Sequence, residues 1–389
     1  MSDISLQNPA IRQRDPRLDV FRGLALGMIF INHVPGTVYE HLTTRNFGFS
    51  DAAEGFVIMS GVAAGLAYSP GFRLRPWWPA VRRVWHRAWV LYQVHLLTTL
   101  LSIAVVAAGA LWLGTAALLQ KNNIGPLFAD PLRTLIGIPL LGHQIGYANI
   151  LPMYAVLLLA APLAILIGLR HPRWLLAGSV ALWTLAGTRW INLPNYPNAG
   201  GWFFNPLSWQ VIFVVGLLTG LAMRRGQRFL PVRPWAQALA AAYLLLSLAT
   251  LMFPPLAAQV GGALWFIQDH GVHRLFTAFD KTYLTLPRLL HILALAYLLS
   301  SLPAVRRLAG AKALRPLALM GRHSLPVFAL GTVLAYGAQV IRAATPDGLL
   351  RDSAVTGTGL ALLFLMAWSR DRFSTAKGNL GGTPASARA

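Results

Sequence analysis

The sequence predicts an all-α integral membrane protein, organised as a single bundle of about ten transmembrane helices. Two observations support this prediction. Of the 389 residues, 56% are hydrophobic and only 12% are charged, whereas a soluble domain usually carries about 25% charged residues. The apolar residues are gathered into segments long enough to cross a bilayer, and no long polar stretch separates these segments into domains.

Each predicted helix is an apolar run of spanning length. The runs cover residues 18–38, 54–70, 88–113, 150–169, 173–190, 207–223, 235–252, 286–302, 322–342 and 355–369. A further apolar stretch, 132–142, is too short to span and is expected to form a re-entrant or interfacial helix.

The connections between these segments predict the topology. Strongly basic connections alternate with loops that hold most of the acidic residues. The basic ones run from Arg73 to Arg87, from Arg170 to Arg173, from Arg224 to Arg233 and from Arg306 to Arg315. The positive-inside rule then places both termini in the cytoplasm, provided that 132–142 does not cross. We expect a cytoplasmic segment at 1–17, a transmembrane domain at 18–372 and a disordered cytoplasmic tail at 373–389.

Composition excludes several kinds of function. A net charge of +21 would suit nucleic acid, but the cations lie in short loops, where they set topology and contact anionic lipids or phosphates. The chain has no cysteine, which excludes disulfides, thiolate metal sites and an acyl-cysteine intermediate. No metal-ligand spacing, glycine-rich phosphate loop or nucleophile elbow is present. The polar first sixteen residues indicate no cleavable signal peptide.

Arg22 and His33 are the main clue to chemistry. Ionisable residues on a membrane-spanning helix are costly to bury and are usually functional. Eleven residue steps of 1.5 Å separate the two by about 16 Å, roughly half a bilayer. A neutral imidazole is a suitable general base for a hydroxyl nucleophile. His33 is therefore the candidate base, and the alternative is a hydrogen-bonded structural histidine.

Asp51 and Glu54 are the candidate assistants of His33. Carboxylates three residues apart share a helix face, and the first turn of a helix tolerates negative charge. The alternative is plain N-capping, with Ser50 or Asp51 as the cap and Glu54 closing a capping box. Both can hold at once, because a capping carboxylate can still orient His33.

A basic cluster follows the second predicted helix. Arg83 and Arg87 are four residues apart, so both guanidinium groups lie on one helical face, where they could grip phosphate groups together with Arg82 and Arg22. The alternative is that these residues only set topology.

Two predicted external loops, Trp190 to Pro206 and Trp265 to His270, are rich in aromatic residues. Stacked rings and amides suit a sugar face and its hydroxyls, and the alternative is an interfacial aromatic belt. The candidate sugar ligands near the first loop are Trp202, Asn205 and Trp209. Within the later helices, His291 and Arg322 are further candidates for the substrate site, or else polar ties between helices.

Several strings of the sequence are distinctive when taken together. They are Arg22 to His33, Phe56 to Gly61, Arg14 to Gly23, Phe47 to Glu54, Phe204 to Gln210, Leu289 to His291 and Gly321 to Ser324. The first two resemble the acyltransferase-three superfamily of membrane acyltransferases. The others resemble its OpgC branch, which succinylates periplasmic glucans.

The resemblance implies a bundle in the bacterial inner membrane that passes an acyl group from cytoplasmic acyl-CoA to hydroxyls of a periplasmic glucan or exopolysaccharide, with synthase components as possible partners. The donor would be succinyl-CoA or acetyl-CoA, with no metal. Arg22 and His33 match the essential pair of the superfamily, with His33 as the base. Arg82, Arg83 and Arg87 match the basic residues that follow the second helix.

Other functions stay open at this point. A transporter or flippase of an anionic or lipid-linked saccharide would use the same charged groups without covalent chemistry, but such proteins often have two related halves, and no internal repeat is visible. A purely structural subunit of a polysaccharide synthase complex fits poorly with a buried Arg22 and His33. Direct transfer is the simplest route, and an acyl-histidine is the alternative. A succinyl donor would need a further cation, for which Lys281, Arg288 and Arg322 are candidates.

Overall fold

The computed structural model describes residues 15–380, with side chains to residue 373. Within this range the chain forms sixteen α-helices joined by loops and short 3₁₀ turns. They are α1 Pro16–Asn32, α2 Ala52–Tyr68, α3 Trp78–Leu113, α4 Pro126–Ala129, α5 Pro131–Gly137, α6 Ile150–Arg170, α7 Pro172–Thr188, α8 Pro206–Arg224, α9 Pro234–Met252, α10 Pro254–Asp269, α11 Arg274–Thr277, α12 Leu286–Ser301, α13 Pro303–Ala309, α14 Arg315–Arg322, α15 Ser324–Ala344 and α16 Leu349–Leu380.

The helices are those of a membrane protein. Seven of those described are long and apolar enough to cross a bilayer, and α12 with α13, bent by 80°, would make an eighth. The remaining two predicted segments coincide with α1 and α7, which have 17 residues each. The fold class is therefore confirmed with seven or eight candidate spans, and the number ten stays a prediction.

The terminal segments lie mostly outside the described range. Nothing is described of residues 1–14 or 381–389, which hold most of the predicted cytoplasmic N-terminal segment and part of the predicted tail. The last helix continues to Leu380.

The contact between α2 and α8 is the most extensive among the described helices, and glycines make it possible. A Cβ atom added to Gly61 would lie 2.1 Å from the carbonyl oxygen of Phe213, and one added to Gly216 would lie 2.1 Å from that of Ile58. Small residues let two helical backbones approach this closely. The position of α2, whose first turn carries Asp51 and Glu54, is thereby fixed.

The two ends of the bundle differ in character. α1 ends and α2 begins at one end, which we call the His33 end. α6 and α8 end and α3 begins at the other, which we call the arginine end.

The first helix is shorter than the predicted segment 18–38, because it stops at Asn32 ahead of Pro35, whose ring cannot continue a helix.

The apolar stretch predicted at 132–142 forms only the seven-residue α5, and an irregular segment from 138 to 149 follows it. Residues 142–145 of this segment are buried. Hydrogen bonds tie it to two long helices: the Tyr92 hydroxyl donates to the Pro139 carbonyl at 3.0 Å, and the Tyr336 hydroxyl donates to the Gly146 carbonyl at 2.6 Å. Irregular backbone at membrane depth is tolerated where protein buries it or where it lines a cavity.

Candidate active site at the end of the first helix

His33 lies immediately after α1, where it is the C-terminal cap of the helix. Its backbone N–H donates to the carbonyls of Ile29 and Phe30, at 3.0 and 3.1 Å, and this fixes the start of its side chain. The Nδ1 atom of the ring is buried and makes no hydrogen bond to any described residue. Buried polar atoms almost always have a partner, so this nitrogen is a candidate contact for a ligand.

Helix α15 holds the backbone around His33. The Gln339 side chain donates from Nε2 to the His33 carbonyl at 2.7 Å. One turn later, the Arg342 guanidinium donates to the carbonyls of Pro35 and Gly36. Because these donors come from one rigid helix, the turn that carries His33 is positioned relative to α15 as well as to α1.

Tyr147 packs against the imidazole of His33. The two ring centroids are 4.2 Å apart and the ring planes are inclined by 34°. The backbone of Tyr147 has a φ of 66°, in the left-handed region that costs a residue with a side chain on the order of 1–2 kcal/mol. Strained backbone of this kind is often found at functional sites.

Four charged side chains form an ion-pair cluster beside His33, consisting of Asp51, Glu54, Lys281 and Arg288. Lys281 Nζ lies 2.5 Å from an Asp51 carboxylate oxygen, and Arg288 Nε lies 2.9 Å from a Glu54 oxygen. Arg288 Nη2 also contacts Glu54, and it lies 3.5 Å from Asp51. Asp51 and Lys281 are close enough to His33 to act on it electrostatically.

The two carboxylates of the cluster have different environments. Glu54 is fully buried, and its second oxygen accepts a hydrogen bond at 3.0 Å from the backbone N–H of Asp51, which completes the predicted capping box. Burial raises the pKa of the Asp51 carboxyl, but the Lys281 ammonium and the Arg288 guanidinium outweigh burial and hold this pKa below its ordinary value. Asp51 therefore stays ionised at neutral pH.

His291 lies next to the cluster, one turn after Arg288 on α12. Its Nδ1 atom is 2.6 Å from the Ser50 hydroxyl, and its side chain is buried. A Cβ atom on Gly48 would lie 2.0 Å from Nε2 of the ring, so only glycine fits there. His291 ties α12 to the start of α2, as a polar contact between helices.

Trp202, Asn205 and Trp209 are all buried and hold the loops of the His33 end together. Asn205 caps α8 and donates to the Ile191 carbonyl at 2.7 Å. The Trp209 indole donates to the backbone carbonyl of Lys281 at 2.9 Å. In the described structure none of the three faces an open surface, and Trp209 supports the backbone of the cluster residue Lys281.

Polar side chains form an open groove on the same end, which we call the amide groove. It has a volume of about 580 Å³, and its polar lining comprises Gln120, Asn123, Asp130 and Asn198. Asn198 donates to Asn123 at 3.0 Å, and the neighbouring Asn122 donates at 3.2 Å to Gln339, the residue that also binds the His33 carbonyl. A chain of amide contacts thus joins the wall of the groove to the turn that carries His33.

The predicted phosphate-binding arginines do not form one cluster. Arg22 donates to the Met59 carbonyl at 3.0 Å, inside the bundle. At the arginine end Arg82 and Arg83 are exposed and Arg87 is half-buried, and the Arg83 guanidinium carbon lies 6.0 Å from the centre of the Tyr68 ring.

Arg322 lies far from His33. Its guanidinium is 4.0 Å from Asp19 and 3.7 Å from Asp371. Asp19 precedes His33 by fourteen residues on α1, which corresponds to about 21 Å along the helix. Of the three cations considered for a succinyl donor, only Lys281 and Arg288 therefore lie at the His33 end.

Sequence reasoning did not select Gln339, Arg342 or Tyr147. A signal existed for the first two, because polar residues three apart in an apolar helix share one face. Tyr147 had none, since the irregular segment that brings its ring to His33 follows no periodic pattern. Within residues 15–380, no three His, Asp or Glu side chains are grouped so that they could hold a metal ion.

Comparison with known proteins identifies the family. Searches of curated proteins and of solved structures return no significant match. A family model described as OpgC protein matches residues 14–375, a range that contains His33, the ion-pair cluster and the amide groove. This match supports a membrane-associated enzyme that modifies glucans by a transferase type of reaction, and the chain belongs to the OpgC protein family.

Proposed function

We propose that this protein is a membrane O-acyltransferase, which moves a succinyl or acetyl group from acyl-CoA to a hydroxyl of a periplasmic glucan, with His33 as the general base. The protein would lie in the bacterial inner membrane, with both termini and the arginine end in the cytoplasm. Acyl-CoA would then approach from the arginine end and the glucan from the His33 end.

One observation carries the proposal: the His33 imidazole has a buried nitrogen without a partner, and it lies in a turn held by α15 beside the ionised Asp51. A general base needs a free ring nitrogen, a fixed ring and a neighbour that stabilises the protonated form. The amide groove supports the acceptor side, since amide and carboxylate groups suit hydroxyl recognition. The family supports glucan modification.

The transfer would proceed in one displacement. His33 takes the proton of the glucan hydroxyl while the hydroxyl oxygen attacks the carbonyl carbon of the thioester. The carbon–sulfur bond then breaks, the acyl group stays on the glucan oxygen as an ester, and the leaving thiolate takes the proton back from His33 as free CoA. No oxidant, metal or cysteine is needed, and His33 is neutral again at the end.

The cluster residues would have separate tasks. Asp51 would favour the imidazolium electrostatically and Lys281 would oppose it, because both charges act on the ring. Glu54 would act as a positioning residue, because its two oxygens are taken up by Arg288 and by the backbone of Asp51. Lys281 and Arg288 keep the Asp51 carboxylate ionised and supply the cations that a succinyl carboxylate would meet.

The CoA moiety would contact basic residues between the arginine end and the bundle interior. Arg82, Arg83 and Arg87 would attract its phosphates. Arg22, whose guanidinium lies deeper beside Met59, would meet the arm that carries the thioester. This arrangement follows the Arg22 to His33 direction of α1.

Turnover of acyl-CoA by the purified protein in nanodiscs tests the proposal. Succinyl-CoA and acetyl-CoA are each offered with and without glucan, and free CoA thiol is measured. We expect glucan-stimulated release that falls by about 10²–10⁴-fold in His33→Ala, the usual contribution of a general base. The matched control is His41→Ala, because His41 is exposed at the same end, and it should keep wild-type activity.

Two results would contradict the proposal. Undiminished thiol release by folded His33→Ala would show that His33 is not the general base. Tight saccharide binding without thiol release under any pairing of donor and acceptor would favour the transporter instead. The preferred donor names the modification, since succinyl and acetyl products differ in charge.

A further inference from the structure

A pocket of about 500 Å³ opens at the arginine end, and four arginines line it together with Trp77. Arg73 and Arg75 come from the connection between α2 and α3, Arg170 is the last residue of α6, and Arg225 follows α8. Three separate parts of the chain therefore bring cations to one concavity. We call it the arginine pocket.

The charge of the arginine pocket is uncompensated within the protein. Its lining contains no Asp or Glu, and none of its four guanidinium groups forms an ion pair in the described part of the chain. Like charges gathered in a concave site repel each other and raise the local positive potential. An anion of high charge would relieve this repulsion.

The guanidinium groups are also pre-positioned. The guanidinium carbons of Arg75 and Arg170 lie 4.7 and 5.3 Å from the centre of the Trp77 ring. The Arg225 guanidinium donates to the Leu169 carbonyl at 2.9 Å. Contacts of this kind restrict long side chains before a ligand arrives, and planar guanidinium groups bind phosphate in a two-pronged manner.

Topology alone does not account for this arrangement. The positive-inside rule asks only that cations lie in the cytoplasmic loops, which Arg173 and Arg224 satisfy without lining the pocket. Arg170 lies three residues before Arg173, and Arg225 directly follows Arg224. Arg170 and Arg225 nevertheless line the same pocket. The arginine pocket differs from the rest of the basic surface because arginines from three parts of the chain meet in it.

We infer that the arginine pocket binds the phosphate groups of a nucleotide that carries several phosphates. Resting on the proposed function, the inference assigns the pocket to the phosphorylated ADP end of acyl-CoA. The pocket adjoins the end of α2, and the seventeen residues of that helix, Ala52 to Tyr68, correspond to about 25 Å along its axis. A ligand held here needs a long flexible arm to place its reacting group beside His33, and acyl-CoA has such an arm.

Direct binding tests the inference without catalysis. The probe is adenosine 3′,5′-bisphosphate, titrated calorimetrically against the full-length protein in neutral phosphatidylcholine nanodiscs. Arg170→Gln combined with Arg225→Gln is compared with Arg173→Gln combined with Arg224→Gln, which removes the same charge from neighbouring positions. We expect the pocket pair to weaken binding by at least about 30-fold, since charge-assisted hydrogen bonds to phosphate are lost. The control pair should stay within about threefold.

The outcomes separate the pocket from general charge and from lipid. Equal weakening by both pairs would overturn the inference in favour of a diffuse basic surface. The nucleotide assignment would also be overturned if neither pair altered nucleotide affinity in neutral nanodiscs while phosphatidylglycerol abolished binding. In that case the pocket would be assigned to lipid headgroups. Pocket-dependent binding in both kinds of nanodisc would support it.

The inference and the proposed function can fail separately. Nucleotide binding that depends on Arg170 and Arg225, without thiol release from any donor, would uphold the pocket and contradict acyl transfer. Acyl transfer by the wild type, with an unchanged KM for acyl-CoA in the pocket pair, would uphold the transferase and contradict the pocket.

Discussion

Arg288 and Glu54, which are 234 positions apart in the chain, form a buried ion pair in which Nε and Nη2 of the guanidinium both donate to the same carboxylate oxygen. The Glu54 side chain has no exposed surface and that of Arg288 is 13% exposed. The pair joins α12 to the first turn of α2. It thereby fixes the first turn of α2, which carries Glu54, relative to α12.

Arg288→Met is expected to lower the free energy of unfolding by about 3–5 kcal/mol, because removing one partner of a buried pair leaves the other charge uncompensated. Adding Glu54→Gln should restore part of that loss. Equilibrium unfolding in mixed micelles measures both effects. As a control, Arg45→Met removes an exposed partner of Glu40 and should change stability by no more than about 1 kcal/mol. Equal decreases in the free energy of unfolding for Arg288→Met and Arg45→Met would show that the buried ion pair stabilises the protein no more than the exposed one.

Gln339→Met is expected to lower kcat by about tenfold, because the His33 carbonyl and the Asn122 amide would both lose a partner, at a cost on the order of 1–3 kcal/mol each. The KM for glucan should rise, and the KM for acyl-CoA should stay unchanged, since the donor binds toward the other end. Steady-state kinetics with varied glucan and varied donor separate these constants.

Gln237→Met is the matched control for Gln339→Met. Gln237 is also a partly buried helical glutamine, and it donates at 3.0 Å to the Ser301 hydroxyl at the arginine end. It should leave the KM for glucan unchanged. If both variants raised that constant alike, the link from the amide groove to His33 would be wrong.

Local features of the fold could be predicted from the sequence, and the capping box shows why. Asp51 and Glu54 are three residues apart, so helix geometry alone brings their groups together, and the structure confirms the box. Helical segments were predictable for the same reason, since hydropathy is a property of consecutive residues. The end of α1 could not be predicted from hydropathy alone, because the apolar character continues past Asn32 while Pro35 stops the helix.

The partners of these residues could not be predicted, because they come from distant parts of the chain. Lys281 and Arg288 were candidates only as cations, and their pairing with the two carboxylates depends on how α12 packs. Trp209 shows the same limit for a prediction made from composition. An aromatic residue near polar loops suits a sugar, but its indole donates to the Lys281 backbone and the ring is buried.

Gly23→Ala is expected to destabilise the protein by about 1–3 kcal/mol, the usual effect of overpacking. A Cβ atom at Gly23 would lie 1.9 Å from the Leu317 carbonyl oxygen, so α1 and α14 would have to separate. Activity should fall as well, because Arg22 is the adjacent residue. Gly27→Ala, one turn later, meets only a Leu360 methyl at 3.7 Å, and it should be neutral or stabilising by up to about 1 kcal/mol. Similar melting temperatures for both variants would contradict the close contact.

Stability should depend on pH through Asp51. Because Lys281 and Arg288 hold the pKa of its carboxyl below the ordinary value despite burial, the unfolded chain binds this proton at a higher pH than the folded protein. The contribution of the carboxylate is therefore complete above about pH 5 and declines as the pH falls below about 4. The measurement is the difference in unfolding free energy between wild type and Asp51→Asn across this range. It should shrink as the pH falls below about 5, whereas a difference that grew toward low pH would contradict an ionised Asp51 in the folded state.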